Sequence, residues 1–155
     1  MNQKLHDLWN KLYPNQHSPR QFFSPGRVNL MGEHIDYNGG FVFPMALSIG
    51  TYGWIALRDD SLIQLYSANF EEMGVHCFEM NHLEFQQEDG WMNYLKGVIL
   101  AFINKGHHFP QGFDVLLYGD LPHSSGLSSS ASVEVLMRSE ERRVGKECSS
   151  RWSTY

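Results

Sequence analysis

At 155 residues, with 42% apolar and 19% charged side chains, the chain has the size and composition of one soluble globular domain with its own core. A net charge of −5 weighs against non-specific nucleic-acid binding, which needs clustered Lys and Arg. Two cysteines in no metal-type spacing, Cys77 and Cys148, exclude a disulfide framework, and no signal-like start or long apolar run is present, so a cytoplasmic protein off the membrane is the expectation.

Leu5, Leu8, Trp9 and Leu12 recur at helical spacing, which predicts an amphipathic helix over residues 3–13, ended by Pro14 and Asn15. Arg20 to Ser24 is a short apolar run that could enter a sheet. Pro25 to Gly40, with four glycines and many polar groups, reads as a loop with room for one helical turn. TYGWIALR and LIQLYS predict short antiparallel strands, with turn signals at Gly53 and at Asp59-Asp60, and GVHCFEM predicts another. Leu95, Val98, Ile99 and Phe102 return to the helical spacing, with Gly106 placed as a C-cap. GFDVLLYGD reads as a buried strand, followed by the loop LPHSSGLSSSA and a helix opening on SVEVLM. This order, without internal repeats, specifies an α+β fold. Arg138 to Tyr155 holds five of the twelve basic residues, has no amphipathic period and offers little to bury beyond Val144 and Trp152, so it reads as a solvated tail.

Two segments carry groups suited to chemistry. Ser124 to Ser132, SSGLSSSAS, lies between a strand and a helix. Small residues allow close backbone approach, the helix start offers unpaired N–H groups to a phosphate, and serine hydroxyls suit phosphate oxygens or Mg²⁺. The plain alternative is a flexible Ser/Gly linker, which seldom sits between core elements. The segment is not a G-x-x-x-x-G-K-[ST] loop, since it has no lysine. The second segment, Ser24 to Gly40, sets Arg27, Glu33, His34 and Asp36 within ten residues. Carboxylates and an imidazole can pair with the protons of several sugar hydroxyls. Metal ligation by Glu33, His34 and Asp36 is a second reading, and on composition alone a surface loop is the preferred one.

Three stretches carry a resemblance. PGRVNLMGEHIDYNGGFVFPMAL resembles the galactokinase signature, usually PGRVNLIGEHTDYNGG, departing at Met31 and Ile35. GDLPHSSGLSSSASVEVL resembles the ATP-phosphate loop of the GHMP kinases, and WMNYLKGV resembles the galactokinase stretch W-x-N-Y-x-K-G-V. The implied fold is the α+β N-terminal domain of a GHMP kinase (ribosomal protein S5 domain 2-like), a mixed sheet with helices on one face. It would occupy residues 1–137, with the galactose-binding signature at 20–47 and the ATP-phosphate loop at 119–133, leaving 138–155 as a foreign tail. The implied reaction is ATP-dependent phosphorylation of α-D-galactose at its C1 hydroxyl, with Mg²⁺ as cofactor and galactose and MgATP as partners; the sequence does not give the oligomeric state, for which a monomer is the default.

By motif position the resemblance implies that Arg27 stabilises the transition state and that Glu33, His34, Ile35 and Asp36 bind the sugar. Ser67, Ser124, Ser125, Gly126, Leu127, Ser128, Ser129 and Ser130 would bind ATP, with Ser130 at Mg²⁺. Trp91 is read first as a core aromatic and second as a wall of the adenine pocket; His123 has no role. The family also uses a downstream Mg²⁺-binding Glu, a catalytic Asp and a third glycine-rich motif, none of which is in this sequence. The chain is therefore expected to be an inactive, truncated fragment, broken off within a helix whose loss leaves Leu95, Val98, Ile99 and Phe102 partly uncovered. The alternatives are a non-catalytic sugar- and ATP-binding regulator, against which the intact GLSSSA counts, and an N-acetylgalactosamine kinase.

Overall fold

The computed structural model describes residues 2–16, 19–32, 35, 38–122 and 129–144. Helix α1 (Asn2–Leu12) leads into strands β1 (Arg20–Met31), β2 (Phe43–Leu57), β3 (Leu62–Ser67) and β4 (His76–Glu79). Helix α2 (Met92–Asn104), strand β5 (Phe113–Gly119) and helix α3 (Ser129–Val144) follow. The strands form one sheet in the order β1-β2-β5-β3-β4, antiparallel throughout except for the parallel pair β3 and β5. This is the mixed α+β sheet that the order of elements requires.

Successive side chains of a strand face opposite sides. On the central strands this sends Trp54, Tyr66 and Leu116 one way, where they pack with Leu5, Trp9 and Tyr13 from α1 and the turn after it. It sends Ile55, Ile63, Leu65, Val115 and Leu117 the other way, under Leu95 and Ile99 of α2 and Leu136 and Met137 of α3. Helices therefore cover both faces, not one. The reason is visible in β5, whose first five residues are all buried, as a strand covered on both sides must be. Trp9, Leu95 and Leu136 are fully buried, and each such side chain contributes roughly 1.5–3 kcal/mol relative to exposure. The tyrosine that ends α1 adds a directional tie, because the Tyr13 hydroxyl donates to the Val115 carbonyl at 3.1 Å.

The expected uncovering of α2 is seen at Val98 and Phe102, which are half-buried, but not at Leu95 and Ile99, which are buried. Helix α3 continues past Met137 to Val144, and its Leu136 and Met137 close over Leu95 and Ile99. The residues after 144, Trp152 included, and the side chain of Val144 lie outside the described residues. The C-cap reading of Gly106 agrees with the structure: it takes φ +87, its N–H donates to Ile103 O, and His107 N–H donates to Phe102 O.

Two further expectations need correction. The segment from Pro25 to Met31 is strand rather than loop. Proline lacks an N–H for a ladder, but it is tolerated at an edge strand or a bulge. β1 is the edge of the sheet, and the register shifts between Pro25 and Arg27. Gly53 is no turn: β2 runs straight through it. A methyl group there would lie 2.6 Å from Leu136 Cδ2, so this glycine leaves the space into which α3 packs.

Candidate functional site

The carboxyl ends of the parallel strands β3 and β5 open into a cleft of about 170 Å³. Ser67 closes β3 at its floor and Gly119 closes β5 beside it. One wall is aromatic: Phe70 and Trp91 lie nearly parallel, 15° apart with ring centroids 6.3 Å from each other, and Tyr94 stands beyond them. The start of α3, with Ser129, Ser130 and Val133, lines the same cleft. The positive end of the dipole of this 16-residue helix lies at that point.

Hydrogen bonds fix this floor. Asn69 uses its side chain as a strand residue uses its backbone: Oδ1 accepts the Gly119 N–H at 2.7 Å and Nδ2 donates to Gly119 O at 2.8 Å. Ser67 is buried, and its Oγ accepts the Asn69 N–H at 3.3 Å. Helix α3 is tied down by Ser132, whose Oγ donates to Ser24 O at 2.7 Å and lies 2.9 Å from Thr51 Oγ1. Thr51 itself lines the cleft. At the far end of the same register Asp120 accepts the Gly50 N–H through Oδ1 at 2.6 Å and returns its own N–H to Gly50 O at 3.1 Å.

Ser67, Ser129 and Ser130, singled out from the sequence, thus come together in one cleft. Trp91, read first as a core aromatic and second as a pocket wall, is both: it is half-buried, packs against the core and lines the cleft. Ser124, Ser125, Gly126, Leu127 and Ser128 lie outside the described residues, as do Glu33, His34 and Asp36. Arg27 is exposed on β1, three residues beyond Ser24, the partner of Thr51 in the register. At the rise of a strand this sets its Cα about 10 Å along β1 from the edge of the cleft. Ile35 is 42% exposed at the centre of a closed turn, with its N–H donating to Gly32 O at 3.1 Å and its carbonyl accepting from Asn38 and Gly40. Asn69, Phe70, Tyr94 and Thr51 escaped the sequence reading; only Tyr94, inside WMNYLKGV, carried a signal there.

The displaced titrations lie elsewhere. Burial pushes the Tyr13 phenol up, and burial raises the Asp114 carboxyl against the opposing pull of Arg58. A hydrogen bond from Arg58 holds Asp60 down at about 2. Arg58 joins the two acids, with Nη1 at 2.8 Å from Asp114 Oδ1 and Nη2 at 2.7 Å from Asp60 Oδ2. Asp114 is near the start of β5 and the cleft is at its end, about 17 Å away at the rise of a strand. The ion-pair network fastens the β2–β3 turn to the sheet and has no part in the cleft.

Comparison with known proteins agrees with this geometry. The galactokinase galactose-binding signature matches residues 8–57, and the N-terminal domain of the GHMP kinases matches residues 93–139. A galactokinase of Clostridium acetobutylicum is 51% identical over 136 residues, which is 88% of this chain and 34% of that protein. The crystal structure of Lactococcus lactis galactokinase complexed with galactose superposes with a TM-score of 0.87 at 41% identity, covering 92% of this chain and 37% of that one. The Methanococcus jannaschii mevalonate kinase shares the fold alone, at a TM-score of 0.64 and 21% identity over 77% of this chain and 38% of its own. The chain spans about a third of the length of the curated relatives it matches. In sequence and in fold it belongs to the galactokinase family of the GHMP kinases and corresponds to the N-terminal region of those proteins.

Proposed function

We propose that this region serves an enzyme that transfers the γ-phosphoryl group of ATP to the C1 hydroxyl of galactose. The observation that carries the reading is the cleft itself, lined by an aromatic pair, by the start of a long helix and by the ends of two parallel strands. An aromatic wall suits a flat base, and a helix start suits phosphates. In the reaction the C1 oxygen bonds to the γ-phosphorus, the bond from that phosphorus to the β,γ-bridging oxygen breaks, ADP leaves, and the hydroxyl proton is lost. Phosphoryl transfer depends chiefly on positioning and on stabilising spread charge.

Arg27 supplies a guanidinium for that charge, with planar donors matched to phosphate oxygens. Glu33, His34 and Asp36 bind the sugar hydroxyls and Ile35 lines the sugar from between them, and residues 124–130 together with Ser67 hold the nucleotide. The serine-lined helix start fits Mg²⁺, which prefers hard oxygen ligands and binds mainly through substrate phosphates. Ser130, at that helix start, would hold it. When bound, the ion neutralises charge on the β- and γ-phosphates. A cytoplasmic monomer belongs to the same reading; no helix among the described residues is long and apolar enough to cross a membrane.

The test is galactose 1-phosphate formation from galactose and MgATP by a protein carrying this region, wild type against Arg27→Ala. A cation acting on the transferring group works mainly in the transition state, so kcat should fall far more than galactose binding weakens. Unchanged kcat with a raised KM would remove Arg27 from that role, and a wild-type protein that phosphorylates no sugar would overturn the reading.

A further inference from the structure

We infer that Asn93 and Lys96 are positioning residues of the cleft: they hold Trp91 in its wall without touching the ligand. The inference rests on reading the cleft as a nucleotide site.

A helix start leaves N–H groups open, and Ser, Thr, Asp or Asn usually caps them. At the start of α2 the cap position is Trp91, with no side-chain cap bond. The tie comes from inside the helix. Asn93 turns its side chain back onto the preceding loop: Nδ2 donates to Gln86 O at 2.7 Å and to Gly90 O at 3.1 Å, and Oδ1 accepts the Gln86 N–H at 3.2 Å. Every polar atom of the amide is spent on the segment that delivers Trp91.

Lys96 repeats the grip one turn later. Its side chain is buried, which is costly for an ammonium unless it is paired. All its partners precede the helix. It forms an ion pair with Asp89, donates to Glu84 O at 3.3 Å, and lies over the Phe78 ring at 4.6 Å from the centroid. Asp89 and Glu84 belong to the same loop that Asn93 holds, and Phe78 belongs to β4. Loop, helix and sheet edge therefore meet at one cation.

Residues three apart share a helix face. Asn93 and Lys96 form one such pair, turned to the loop; Trp91 and Tyr94 form another, turned to the cleft. The first pair sets where Gly90 hands the chain to α2, and so sets the position of the indole against Phe70. Among these groups only the second pair lines the cleft. Removing an anchor should let the indole wander and should weaken a base stacked on it, with the chemical groups of the site left in place.

The test uses the whole chain labelled with 5-fluorotryptophan, read by ¹⁹F NMR during titration with MgATP. In the wild type the Trp91 signal should shift saturably while Trp9 and Trp54, packed under α1 on the other face, stay still. If millimolar MgATP moves nothing, the nucleotide reading falls and this inference falls with it. Asn93→Ala and, separately, the volume-conserving Lys96→Met should each displace the Trp91 signal before any ligand is added. Each should also weaken MgATP binding about tenfold, the scale of a lost hydrogen-bonded anchor. Wild-type binding and an unmoved Trp91 signal in both variants would overturn the positioning role and leave the nucleotide reading standing. Movement of the Trp9 and Trp54 signals together with Trp91 would also overturn it, because the residues would then be supporting the whole fold.

Discussion

Besides the packing of Leu136 and Met137, a buried hydroxyl ties helix α3 to the sheet, and removing it is a sharp test of how the cleft is held. Ser132 is 2% exposed, its Oγ donates its one proton to Ser24 O at 2.7 Å, and it lies 2.9 Å from Thr51 Oγ1, whose hydroxyl is then the donor. Ser132→Ala leaves a buried carbonyl and a buried hydroxyl short of a partner. Each such loss is worth about 1–3 kcal/mol, and because the Thr51 hydroxyl can rotate in search of another acceptor, the low end of the sum applies, about 2 kcal/mol. For a chain of this size that lowers Tm by roughly 4–8 °C. Thermal and urea unfolding followed by circular dichroism measure it, alone and in a cycle with Thr51→Val. Because the two hydroxyls share one bond, the double variant should lose less than the sum of the single losses, by at least about 0.5 kcal/mol. A Ser132→Ala protein within about 0.5 kcal/mol of wild type, or a strictly additive cycle, would refute the claim that this bond holds α3.

Glycine positions give an opposed pair. A methyl group at Gly50 would meet backbone, Ser24 O and, at 2.8 Å, Pro25 Cα, so Gly50→Ala should cost roughly 1–3 kcal/mol in urea unfolding, and a neutral result would sink the register argument. Gly97 is exposed inside α2 with nothing within 4 Å, so Gly97→Ala should stabilise by about 1 kcal/mol in the same assay; a loss would contradict the open space seen there. Asp114 supplies a pH test. Burial holds its carboxyl above the usual range, and an acid whose folded pKa is raised contributes stability at low pH that is lost as pH rises through the folded value. The stability of Asp114→Asn relative to wild type should therefore climb as pH rises above about 4. A difference that is flat or falls between acid and neutral pH would refute the direction.

How much of this was legible in the sequence depended on the kind of signal. α1 and α2 were, because Leu5, Leu8, Trp9 and Leu12, and later Leu95, Val98, Ile99 and Phe102, repeat at helical spacing and stop at Pro14 and Gly106. β5 was, because a strand buried on both faces is a continuous apolar run. β1 was cut short because Pro25-Gly26 is locally a turn signal, and only the pairing with β2 and the bulge make it a strand. Gly53 misled for the opposite reason: its meaning lies in Leu136, far along the chain. In the cleft, Ser129 and Ser130 were singled out in advance because a small, hydroxyl-rich run stands between a strand and an apolar helix. Asn69 and Phe70 were not, since an Asn after a strand looks like any turn residue until Gly119 is beside it.

The interruption that hid β1 also bears on how the site could act. Ser24 pairs with Thr51, and through its carbonyl it receives Ser132 of α3. One step later Pro25 pairs with Gly50, whose N–H is taken by Asp120 at the end of β5. The bulge follows at once, and Arg27 resumes the ladder opposite Ala46. Thus Ser24, which receives α3, and Arg27, which we propose acts on the transferring group, are three positions apart on one strand, with the bulge between them. A regular ladder would have carried Arg27 opposite Ser48; the shifted register moves its partner on β2 to Ala46 and re-aims the strand, as bulges do. The distance between guanidinium and helix start is therefore set by local backbone geometry at Pro25–Arg27, clamped from both sides by Ser132 and Asp120. Changes that leave every polar side chain intact but alter this bulge, Gly50→Ala foremost, should disturb phosphoryl transfer as strongly as they disturb stability.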